Sequence, residues 1–85
     1  MDYIMATMID HRAKTRTTGT VDALTALLVN RAIRTVGKGV TNKKLAAENL
    51  VRAAIRRGGT VAGTEIELSP AERTAWDTTN PIPNN

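Results

Sequence analysis

Residues 2–17, Asp2-Tyr3-Ile4-Met5-Ala6-Thr7-Met8-Ile9-Asp10-His11-Arg12-Ala13-Lys14-Thr15-Arg16-Thr17, admit two backbone periods, and the fold class turns on which one wins. Ile4, Met5, Met8 and Ile9 fall at spacings of one, four and five, one side of a helix, with Asp2 placed to cap its start. That spacing predicts a short helix from Asp2 to about Lys14. The end of the stretch has a different rhythm. Arg12, Lys14 and Arg16 alternate with Ala13, Thr15 and Thr17, as residues on the two faces of a strand do.

Downstream the signals are less divided. Thr17-Thr18-Gly19-Thr20 reads as a turn, and Thr20 as the cap of a helix over about Val21 to Val36, with Asp22 in its first turn. Val21, Leu24, Leu28, Ala32 and Val36 form its core stripe, widened by Leu27, Val29 and Ile33. Gly37 stops it, and Thr41 or Asn42 opens a second helix, about Lys43 to Arg57, stopped by Gly58-Gly59. The short connection predicts an antiparallel helical hairpin at the centre of the fold. Thr60 to Leu68 has strand character, with Ile66 and Leu68 alternating against Glu65 and Glu67, and Ala62-Gly63 suits a tight turn. Ser69-Pro70-Ala71-Glu72 then starts a last helix to about Asp77 with a capping box, and Trp76 and Ala75 would anchor it. The expected architecture is one mainly α domain over residues 1–77, with a short β element, followed by a Pro/Asn-rich tail over 78–85.

Composition narrows the function classes. The chain has 85 residues, no cysteine and one histidine, so thiolate and imidazole-rich metal sites are not expected, nor is a cofactor. No stretch approaches the roughly 20 apolar residues that a spanning helix needs. The first residues carry Asp2 and no base ahead of their apolar part, unlike a signal peptide, so a cytoplasmic location is the expectation. A core of aliphatic residues, without Phe, gathers little area per residue, which makes self-association a reasonable supplement.

Charge is the informative quantity. Of the twelve Lys and Arg, eleven fall within residues 11–57 against Asp22 and Glu48 alone, a surplus of nine, while the flanking segments are acidic. Such asymmetry points to a polyanionic partner. Enzymatic readings find little support. His11 has no nucleophile or orienting group at a recognisable spacing, and Glu65 and Glu67 read as a solvated strand face. Gly37-Lys38-Gly39 lacks the spacing and ending of a P-loop.

The expected function is therefore non-catalytic nucleic-acid binding by a basic helical surface, as a dimer or higher oligomer. Arg31, Arg34, Lys43, Lys44, Arg52, Arg56 and Arg57 are the expected phosphate contacts, with Asn49 able to meet a base edge. Charge reversal of Arg52 and Arg56 is expected to abolish binding without unfolding the chain. If residues 12–17 are extended, Arg12, Lys14 and Arg16 point one way, and strand plus two helices over 12–57 resembles the ribbon-helix-helix repressors. The resemblance implies a dimer with that strand in a major groove. Ala13, Thr15 and Thr17 depart from it, because that family buries aliphatic residues there. Lys44-Leu45-Ala46-Ala47-Glu48 looks like the start of a helix-turn-helix, but the turn glycine is missing. The competing class is a small assembly or accessory protein, of the phage or mobile-element kind that its size and Thr/Ala content resemble, or an inhibitor of a larger nucleic-acid machine.

Overall fold

The computed structural model describes residues 4–80. It overturns the mainly α expectation. Three strands, β1 (Met5–Asp10), β2 (Thr15–Thr20) and β3 (Thr64–Glu67), form one antiparallel sheet in the order β2-β1-β3. Helices α1 (Val21–Ala32), α2 (Lys43–Arg57) and α3 (Pro70–Thr79) complete an α+β domain.

The expected N-terminal helix is a strand because burial follows period two. Ala6 and Met8 are buried in the core, while Met5 on the other side is 42 % exposed. On a helix, two residues two positions apart diverge too far to share one face. β1 also receives a neighbour on each side: Met5 to Asp10 pairs with Thr20 to Thr15, and Thr7 to Asp10 with Glu67 to Thr64. The threonines of β2, branched at Cβ, suit this extended backbone. His11 to Lys14 form the connecting turn, with Lys14 left-handed at φ 59°. The ribbon-helix-helix arrangement fails for the same reason. The strand ahead of the two helices is one of three in a sheet formed within the chain, where that family has a single strand, and only Arg16 of the three alternating cations lies on it.

Helix ends follow local chemistry. Thr20 accepts the amide of Ala23, and Asn42 that of Leu45. α1 is shorter than its apolar stripe suggests, tightening into a 3₁₀ turn over Ile33–Thr35 before Gly37. Gly58 ends α2 at φ 71°, its amide bonding the carbonyl of Ile55 while the Gly59 amide bonds that of Ala54. This double closure is the Schellman motif, and its left-handed residue favours glycine. Ala62 and Gly63 are both left-handed, as a two-residue turn closed by mutual Val61–Thr64 bonds requires. Ser69 accepts the Glu72 amide, whereas the Glu72 carboxylate bonds the Ser69 hydroxyl and the amide of Met5. The first residue of β1 is thereby fastened to the first turn of α3.

One core joins the layers. Met8 and Ile66 from the sheet meet Leu24 and Leu28 of α1, Val51 and Ile55 of α2, and Trp76 of α3. Ala32 and Ala47 are fully buried among them. Ala75, expected to help anchor α3, is exposed. No helix among the described residues is long and apolar enough to cross a membrane.

Candidate nucleic-acid interface

The strands and helices give the domain two distinguishable ends. β1 begins where α1 begins, since the Val21 amide bonds the carbonyl of Ile4. α3 begins there too, through Glu72 and Met5, and the next residue, Arg73, donates to the carbonyls of Ile55 and Arg56 in the last turn of α2. The other end holds the turn between β1 and β2 and the last turn of α1, where Arg31 lies 3.2 Å from Asp10. α2 spans about 21 Å at 1.5 Å per residue. With its C-terminus beside the start of β1, its first turn, with Lys43 and Lys44, belongs to the turn end.

The turn end therefore collects cations from three separate segments. Arg12 and Lys14 come from the β1–β2 turn, Arg34 and Lys38 from the chain after α1, and Lys43 and Lys44 from the start of α2. All six are exposed, and none forms an ion pair among the described residues. Arg57 also forms no ion pair among the described residues but stands at the opposite end, with the C-terminus of α2.

Asp10 is the strut beneath this arrangement. Its carboxylate accepts the amides of Arg12 at 3.0 Å and Ala13 at 2.9 Å, and it meets the Arg31 guanidinium. The same guanidinium donates to the hydroxyl of Thr64, which is fully buried. Arg31 thus ties α1 to the sheet. The His11 amide bonds the carbonyl of Gly63, and its ring lies 2.7 Å from Glu65. Any Cβ added at Gly63 would stand 2.8 Å from the Arg12 side chain. The turn is consequently held from two sides, by α1 and by the chain that leads into β3.

The Ala13 amide is the largest cause of a lowered Asp10 pKa, joined by the Arg12 amide and the Arg31 charge against partial desolvation. A carboxyl depressed in the folded state contributes stability above its unfolded pKa and loses it as pH falls through the folded one. Urea unfolding followed downward from pH 5 should show declining stability, and Asp10→Asn should be less stable at pH 6 with a flatter acid limb. An unchanged acid limb in that variant would remove Asp10 from its role.

Several of the cations anticipated from sequence are engaged within the chain. Arg52 lies 3.8 Å from Glu48 on the next turn, and Arg16 reaches across the sheet to 3.7 Å from Glu67. Arg56 stacks over Trp76 at 5.7 Å and donates to the carbonyl of Asn80. Its charge reversal would disturb packing of α3, so the Arg52/Arg56 pair no longer makes a clean test of binding. Asn49 is exposed on α2. Between α1 and α2 runs a cleft of 340 Å³ lined by Asp22, Asn30, Lys44, Glu48 and Arg52 among others. Carrying both signs, it does not favour a polyanion. Sequence reasoning missed the convergence of the 12–14 and 34–44 segments, because the link between them is the contact of Asp10 with Arg31, twenty-one residues apart.

Among the described residues no group of three His, Cys, Asp or Glu is arranged to hold a metal. Comparison with protein-family models, curated proteins and solved structures gives no match.

Proposed function

We propose that this protein is a non-catalytic nucleic-acid-binding domain whose contact surface is the turn end. The reading is supported by the exposure of Arg12, Lys14, Arg34, Lys38, Lys43 and Lys44, none in an ion pair among the described residues, and by the chain path that brings their three segments toward that end. Phosphates meeting such a surface release condensed counterions, so affinity falls steeply with salt. Arg31, in this reading, positions the surface and makes no phosphate contact of its own.

The test is a fluorescence-polarisation titration of a duplex at several salt concentrations, with two variants. Arg34→Glu/Lys43→Glu/Lys44→Glu should lower affinity by about a hundredfold or more at low salt, since each reversal removes one phosphate contact and adds a repulsion. Arg57→Glu, at the opposite end, should change it little. Equal affinity in the triple variant and the parent would defeat the proposal.

A second reading, assembly with further copies of the chain, draws on a different observation. β2 is an edge strand. The Val21–Ile4 bond sets the alternation of the β1–β2 ladder, so the amides and carbonyls of Arg16 and Thr18 point away from β1. Unpaired edges of this kind invite strand addition. Light scattering decides it, because a monomer at tens of micromolar would leave the edge without a partner.

A further inference from the structure

We infer that two copies of this chain join edge to edge through β2, antiparallel and centred on Thr17, and that the pairing closes at two; this deepens the assembly reading and rests on it. Thr15 to Thr18 are all exposed, on an edge that carries no proline. A charge commonly guards such an edge, and Arg16 is the one charge on β2. Its guanidinium lies 3.7 Å from Glu67, drawn over β1 and away from the open side. The far edge of the sheet is closed differently. β3 has four residues, and the outward amide and carbonyl of Thr64 are bonded to Val61. The sheet does not grow from that side, so one β2 contact completes the assembly, as an isologous two-fold interface does.

Free backbone groups and charge fix the register. Arg16 and Thr18 point outward, whereas the carbonyl of Thr20, the cap of α1, is taken by the first turn of that helix. Arg16 opposite its own copy would set like charges side by side, which destabilises paired strands. Thr18 opposite its own copy would match Arg16 with the committed Thr20. Arg16 opposite Thr18 of the second copy uses the free groups of both and brings Thr17 against Thr17, a favourable cross-strand pair. Charge complementarity favours a second copy over another extended segment. Lys14 and Arg12 precede β2, and Asp22 follows it, one residue after the Val21–Ile4 bond. None of these three forms an ion pair among the described residues. Antiparallel pairing lays the basic end of each copy beside the acidic end of the other.

The chain has no cysteine, so single cysteines placed in the full-length protein report the register. Facing residues of a non-hydrogen-bonded pair have Cα atoms about 4.5 Å apart, within disulfide reach. Light scattering should read twice the chain mass. Thr17→Cys should oxidise to a linked dimer about tenfold faster than Arg16→Cys or Thr18→Cys, whose thiols would face Thr18 and Arg16 and not each other. Asp22→Lys should raise the dimer dissociation constant by about tenfold, and Lys14→Asp likewise, since each reverses an exposed pair twice in the dimer. Aspartate suits the left-handed backbone at position 14. Combining the two exchanges should restore the parent's constant. Fastest linking at 16 or 18, or no restoration by the double exchange, overturns this register while the assembly reading stands. Species larger than two copies overturn the closure. A parent that stays monomeric sinks the assembly reading itself.

Discussion

Trp76→Ala is expected to destabilise the protein by about 3–5 kcal/mol, the usual range when a buried tryptophan is truncated. The ring is 3 % exposed and belongs to the single core shared by sheet and helices. Its removal leaves a cavity and frees the Arg56 guanidinium stacked over it, a contact contributing about 0.5–2 kcal/mol more. α3 has few other ties. Arg73 holds the last carbonyls of α2, Arg56 reaches Asn80, and Glu72 holds Met5. Small domains are stable by about 5–15 kcal/mol in total, so the variant should lose a large share of its stability. Urea unfolding followed by far-UV circular dichroism measures the loss. A change below about 1 kcal/mol, small against that cavity range, would mean that α3 is peripheral to the core.

Leu28→Ala should be nearly as damaging, at about 2–5 kcal/mol. Leu28 is 1 % exposed, in the middle of α1, among the side chains that join both helices to the sheet. Its neighbours are poorly placed to fill the space. Ala32 and Ala47 are fully buried and too short to reach in, and Met8 and Ile66 are fixed by their strands. Leu28→Met, which keeps the volume, should lose less than about 1.5 kcal/mol. By contrast Leu27, one residue earlier and 49 % exposed, should tolerate alanine within about 0.5 kcal/mol, as surface positions do. Similar losses at 27 and 28 in thermal unfolding would contradict the placement of α1.

These losses bear on the proposed binding surface, because the turn end is assembled by packing rather than by local sequence. Arg12 and Lys14 meet the cations of residues 34–44 only while α1 lies against the sheet with Arg31 on Asp10 and Thr64. A core variant that loosens α1 should therefore weaken binding without touching a cation. The charge reversals at Arg34, Lys43 and Lys44 should do the opposite, leaving stability near that of the parent, since none of the three makes an ion pair among the described residues.

Residues 21–80 were largely legible from the sequence because their determinants are local. Thr20, Asn42 and Ser69 each meet an amide three residues on, and Gly58 supplies the left-handed closure of α2, so the helix starts and the end of α2 need no distant partner. The surplus of positive charge in the middle of the chain was equally plain. The N-terminal stretch was not legible, because Ile4, Met5, Met8 and Ile9 fit a helical face while the residues truly buried, Ala6 and Met8, are only two, one of them small. Six residues of strand are decided by neighbours, and one of those neighbours, β3, lies more than fifty residues away. The distribution of charge was decided in the same way. Asp10, Glu65 and Glu67 each meet a cation or the imidazole from another part of the chain, so which cations remain free is a property of the packed domain, where Coulomb attraction acts across space and takes no account of sequence separation.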